Sequence, residues 1–113
     1  MTRECIVGEI SPAELKARLD GGDDIVLLDV REPHELEICK LAYTHHIPTG
    51  ELIARVAELD AARDKDVIIY CRSGQRSGRC CHYMADLGFK RVLNLKGGIL
   101  AWADEIDNSL TKY

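Results

Sequence analysis

Membrane-length apolar runs are missing from this sequence, and with them any reading as a membrane-spanning protein. Excess positive charge is missing too. Fifteen basic side chains stand against nineteen acidic ones, a net charge of -4, which excludes a general electrostatic grip on nucleic acid. Aromatics are scarce, with one Trp and one Phe, yet 46% hydrophobic and 30% charged residues is the balance of a globular chain rather than a disordered one. Repeats, linkers and low-complexity stretches are absent, so one domain is expected across residues 1–113, large enough to bury a core without disulfides or a structural metal. The opening Met1-Thr2-Arg3-Glu4-Cys5 has no long apolar region and no small-residue cleavage site, and the expectation is a cytoplasmic protein without a secretory signal. The five cysteines are odd in number and include no C-x-x-C pair, which favours free thiols in a reducing compartment. His34, His45, His46 and His82 show no metal spacing, so neither a metal nor an organic cofactor is expected.

Short β-branched runs alternate with helical patterns, which argues for βαβ units around a parallel sheet: an α/β fold with a central sheet flanked by helices. Cys5-Ile6-Val7 reads as a first strand. Ser11-Pro12-Ala13-Glu14 combines an N-cap, an N1 proline and a capping-box glutamate, and opens a helix. Ile25 to Leu28 is short and apolar enough for a strand buried on both faces, delivering Asp29 and Arg31 to its carboxyl end. A turn of helix from Pro33 and a brief strand near His46-Ile47 are expected next. Leu52, Val56 and Leu59 predict a helix over 51–59, Asp66 to Tyr70 the central strand, and Ser77 to Leu87 a helix stopped by Gly88. Val92 to Leu95 is the last strand, and Gly97-Gly98 turns into a closing helix with Ile99, Trp102 and Ile106 on one face.

Chemistry concentrates in Cys71-Arg72-Ser73-Gly74-Gln75-Arg76-Ser77, between a buried strand and a helix at the edge where α/β ligand sites form. A tight turn at Gly74 would aim several N–H groups and a helix N-terminus at the Cys71 sulfur, and Arg72 and Arg76 add cationic character. Such surroundings favour a thiolate, the form that attacks sulfur.

This loop resembles the active-site loop of rhodanese-like domains, the thiosulfate sulfurtransferases. Leu28-Asp29-Val30-Arg31-Glu32-Pro33 is similar to the family's Asp-Val-Arg-Glu signature, Ile47-Pro48 to its Ile-Pro, and Leu95 to Trp102 to its C-terminal Gly-Gly…Trp motif. The resemblance spans nearly the whole chain and implies the rhodanese fold. It makes Cys71 the sulfur-carrying nucleophile, Arg72, Ser73, Gly74, Gln75, Arg76 and Ser77 its substrate-binding cradle, and Asp29 and Arg31 supporting residues. Through Glu37 to Leu41 and Trp102 to Asp107 the nearest likeness is to the C-terminal rhodanese domain of molybdopterin-synthase adenylyltransferases, which supplies sulfur to a small ubiquitin-like carrier. The 113 residues hold no adenylating domain, so the acceptor belongs to another pathway or is recruited in trans. Ala42-Tyr43-Thr44-His45 departs from the family's Pro-Gly-Ala followed by an apolar residue.

The expected activity is ping-pong transfer of sulfane sulfur as a Cys71 persulfide, from thiosulfate or a cysteine-desulfurase persulfide to a nucleophilic acceptor, with the arginines holding the sulfonate. Two other readings compete. A cysteine phosphatase or arsenate reductase needs five residues between nucleophile and arginine, and here Arg76 comes one place early. A non-catalytic interaction module would use this face for docking alone, but Cys71 and its loop are intact. Elsewhere simpler readings prevail: Cys5, Cys39, Cys80 and Cys81 as packing residues, Ser77 as a helix N-cap, Trp102 as core.

Overall fold

The computed structural model describes residues 6–113; Cys5, and the start of the first expected strand with it, lies outside them. Five parallel strands form one sheet in the order β1-β5-β4-β2-β3, with β1 Ile6–Ile10, β2 Ile25–Asp29, β3 His45–His46, β4 Asp66–Tyr70 and β5 Arg91–Leu95. The strand expected to be central is central: β4 lies between β2 and β5, with Ile68 beside both Leu27 and Leu93.

Period-two geometry sends alternate side chains to opposite faces, and because both faces are covered, β2 is apolar without alternation. Val26, Leu28, Val67, Ile69 and Val92 pack toward Leu52, Leu59, Met84 and Phe89. Ile25, Leu27, Ile68, Tyr70, Leu93 and Leu95 pack toward Leu15, Ile99 and Trp102. Helix α1, Pro12–Asp20, starts with the expected capping box between Ser11 and Glu14. Helix α2, Pro33–Ile38, follows β2. The helix expected over 51–59 is broken into a 3-10 turn at Thr49–Glu51, a single α-turn α3 at Leu52–Arg55 and a 3-10 stretch at Val56–Ala62. The apolar spacing still buries Leu52 and Leu59, so the periodicity identified the inward face correctly while the tighter winding escaped it.

Helix α4, Gln75–Asp86, begins two residues earlier than Ser77, because Gly74 at φ 104° takes the left-handed conformation that turns the chain into the helix. Helix α5, Gly98–Glu105, closes the chain's second layer. In the departing segment before β3, the Thr44 hydroxyl donates to the Leu27 carbonyl (3.0 Å) and accepts from the Leu27 N–H (2.9 Å), so a side chain pairs the edge of β2. None of the described helices is long and apolar enough to cross a membrane.

Candidate active site

Strand β4, buried from Val67 onward, runs into Cys71, and the chain turns at once into α4, so the thiol stands at the carboxyl edge of the sheet under the open end of a helix. The Gly74 N–H donates to Cys71 Sγ at 3.1 Å and the Ser77 N–H at 3.5 Å, while Ser77 Oγ lies 3.3 Å away. The sulfur therefore takes a main-chain donor that the first turn of any helix leaves unsatisfied, the task an N-cap oxygen usually performs. Ser77 is not the N-cap expected from the sequence. Gly74 holds that position, and Ser77 sits inside the first turn with its hydroxyl turned toward the sulfur and Asn94.

Burial alone pushes the Cys71 thiol up, and donors from the Ser77 side chain, then the Ser77, Gly74 and Ser73 amides, outweigh it and hold it below the ordinary 9.0. The neighbouring cysteines respond oppositely. Burial, aided by the Cys71 charge, pushes Cys80 up to about 11; burial with the Cys80 and Cys71 charges pushes Cys81 up to about 12. Both pack in the core between sheet and α4, and Cys39 is buried on the sheet's other face, so among the described cysteines these three read as packing residues.

The turn is braced from behind. Ile99 N–H donates to the Cys71 carbonyl (2.9 Å) and Leu100 N–H to that of Arg72 (3.1 Å), which seats the start of α5 on the loop. Gly98, at φ 62°, permits this approach: a Cβ there would stand 2.4 Å from the Arg72 oxygen and 2.7 Å from the Cys71 oxygen. Asn94 is a site residue that the sequence reading passed over. Its Nδ2 donates to the Gly74 carbonyl (2.9 Å) and its Oδ1 accepts from the Ser77 hydroxyl (2.5 Å), pinning the turn and orienting Ser77. The available signal was an amide in the otherwise apolar Val92-Leu93-Asn94-Leu95.

Arg72 and Arg76 differ from their expected roles. Arg76 makes a bidentate pair with Glu35, at 2.8 and 2.9 Å. Arg72 stacks 5.2 Å over the Tyr113 ring and donates to the Tyr113 main-chain oxygen. Neither guanidinium hydrogen-bonds Sγ among the described contacts, because each has found a nearer partner of complementary shape. Ser73 and Gln75 expose their side chains, so in this structure they contribute main chain to the loop.

Asp29 and Arg31 are fully buried and paired at 2.8 Å. Arg31 also donates to the carbonyls of Glu35 (3.4 Å) and Cys39 (2.8 Å) and to the Tyr113 hydroxyl (2.9 Å). It thus ties β2 to α2 and to the segment after it, and it reaches the Cys71 loop through Glu35 and Tyr113 and by lying 5.5 Å over the ring of Tyr70, the residue before Cys71. Glu35 and Tyr113 had no part in the sequence reading; their separation of 78 positions hid the contact.

These features define an α/β protein with a buried cysteine in a main-chain cradle at a strand–helix junction. The chain belongs to the rhodanese-like domain family, which matches it over residues 11–105. It is similar to a sulfurtransferase of Allochromatium vinosum, 41% identical over 98 residues, covering 87% of this chain and 90% of that one. An adenylyltransferase and sulfurtransferase of Zea mays is 28% identical over 109 residues, covering 92% of this chain and 23% of the longer protein. The solved structure of a rhodanese-related protein from Thermoplasma volcanium superposes with a TM-score of 0.77 at 32% identity, covering 87% of this chain and 92% of that one.

Proposed function

We propose that this chain is a sulfurtransferase that carries sulfane sulfur as a persulfide on Cys71. The observation that carries the reading is the pair of N–H donors from Gly74 and Ser77 on a buried sulfur whose thiol is held below its ordinary value. Main-chain donors cannot be protonated or move away, so they stabilise a sulfur anion wherever the cycle produces one.

The Cys71 thiolate attacks the outer sulfur of the donor. With thiosulfate, a Cys71–S bond forms, the S–S bond breaks, and sulfite leaves with the electron pair. With a protein persulfide, the donor thiolate leaves. A nucleophilic acceptor then attacks the outer sulfur of the Cys71 persulfide and regenerates the thiolate. The loop from Arg72 to Ser77 binds the donor's transferable sulfur through its main chain, and Asp29 and Arg31 support the fold beneath it. A cysteine-desulfurase persulfide is the proposed protein donor and a ubiquitin-like sulfur carrier the proposed acceptor. The resemblance through Glu37 to Leu41 and Trp102 to Asp107 supports such an acceptor, and a reducing, cytoplasmic setting suits free thiols.

Intact-mass measurement after exposure to thiosulfate or a small alkyl persulfide tests the reading. Wild type is expected to gain one sulfur atom, removable by cyanide. Cys71→Ser is expected to gain none, and Cys80→Ser and Cys81→Ser to retain most of the transfer. Transfer that survives in Cys71→Ser would overturn the assignment.

A further inference from the structure

Glu35 closes the capping box that opens α2, and its remaining contacts go beyond that role. It is only 6% exposed, yet its carboxyl is held down to about 2, first by Arg76 against the cost of burial, then by Glu32 N–H and the Tyr113 hydroxyl. Its two oxygens receive both Arg76 Nη atoms, the Tyr113 hydroxyl at 2.8 Å and the Glu32 N–H at 2.8 Å. A carboxylate that meets a guanidinium in this fork-to-fork manner takes the edge by which arginine recognises oxyanions.

Arg76 stands in the first turn of α4, one residue before Ser77, and is kept protonated first by its hydrogen bonds to Glu35 and then, more weakly, by the Cys71 charge. It is therefore the cation placed to meet an anion arriving at the sulfur. Arg72 and the buried Arg31 are also engaged, Arg72 by Tyr113 and Arg31 by Asp29 and the Tyr113 hydroxyl, while Arg79 lies a turn further along α4. The chain carries a net charge of -4 besides. A free dianion approaching Cys71 meets main-chain N–H groups and two loop arginines, Arg72 and Arg76, already matched to partners.

We infer that Glu35 is a positioning residue that sets donor selectivity: by locking Arg76 in an ion pair, it withholds that guanidinium from small anions and directs Cys71 toward persulfide donors and away from thiosulfate. This rests on the sulfur-transfer reading above. The two half-reactions differ in charge. Thiosulfate brings a dianion to a thiolate and releases sulfite, also a dianion, so it gains most from an uncommitted cation. A protonated alkyl persulfide brings no charge: its S–S bond breaks, the new bond forms at Cys71, the proton stays on the transferred sulfur and the alkyl thiolate leaves.

The test follows Cys71 persulfide formation from thiosulfate and from a small alkyl persulfide with no other charged group, in wild type, Glu35→Gln and Glu35→Gln/Arg76→Gln. Glutamine keeps the shape of Glu35, and its single carbonyl oxygen can still accept from either Tyr113 or Glu32, which approach different oxygens of the carboxylate. Glu35→Gln is expected to raise the second-order rate with thiosulfate by roughly ten- to a hundredfold, the range of a charge-assisted hydrogen bond. The gain should appear in the half-saturating concentration rather than in the limiting rate, with alkyl persulfide transfer little changed. The double variant replaces one neutral pair by another, so its thiosulfate rate should return close to wild type. Unchanged or slower thiosulfate use in Glu35→Gln, with alkyl persulfide transfer intact, overturns the role of Glu35 and leaves sulfur transfer standing. Absence of a Cys71 persulfide from either donor in wild type overturns both. Should Glu35→Gln fail to fold, the double variant decides: selective loss of thiosulfate use there would mean that Arg76 serves the anion directly, against the inference.

Discussion

At the residue scale, the Cys71 sulfur is governed by two opposed effects, burial that disfavours the thiolate and donors that favour it. Ser77 supplies two of those donors, its amide and its hydroxyl, and only the hydroxyl can be removed by substitution. Ser77→Ala is therefore expected to raise the midpoint of Cys71 reactivity, by less than an unshared hydrogen bond to an anion would because Asn94 shares this hydroxyl. The sign follows from which form is stabilised: losing a donor to the anion moves deprotonation to higher pH, so alkylation at neutral pH slows and recovers in alkali. Thiolate absorbance and iodoacetamide kinetics across pH would check it. A midpoint that stays put in Ser77→Ala would assign the lowering to the amides alone.

At the scale of elements, the site is made where β4, α4 and α5 meet. The start of α5 closes on the Cys71 and Arg72 carbonyls only because Gly98 has no Cβ. Gly98→Ala should push the two apart and cost on the order of 1–3 kcal/mol, as strained backbone does. Sulfur transfer should fall more steeply than the denaturation midpoint, because the displaced segment is the cradle itself; paired urea melts and transfer assays would show it. The same junction bears on phosphate chemistry. Four residues separate Cys71 from Arg76 in the turn into α4, and Arg76 is bound by Glu35. Negligible Cys71-dependent hydrolysis of aryl phosphates is expected, and measurable turnover lost in Cys71→Ser would contradict it.

Across the whole molecule, Arg31 is the long-range tie. Fully buried, it joins β2, α2, the Cys39 segment and Tyr113. Removing one partner of a buried pair strands the other charge, so Arg31→Ala should lose roughly 3–5 kcal/mol of stability in urea denaturation. A loss below about 1 kcal/mol would mean that water reaches Asp29 and that the tie is weak.

What the sequence determined by itself is what local chemistry and periodicity encode. The capping box at Ser11, the apolar run into Asp29, the strand ending at Cys71 and the Gly97-Gly98 turn each act within a few residues, and each stands where it was expected. The different surroundings of Cys71 and of Cys80 and Cys81 were equally legible, because a cysteine after a strand and before a glycine turn differs in sequence from one on an apolar helical face. Winding was not: 49–62 satisfies helical spacing yet alternates between 3-10 and α-turns, since periodicity reports the buried face and not the pitch. The partners of the arginines belong to tertiary structure alone. Arg72 and Arg76 looked like anion holders because only their neighbours in sequence were visible. Glu35 and Tyr113 reach them from 41 positions away on either side, and folding brings the carboxylate to a guanidinium whose approach no local pattern records.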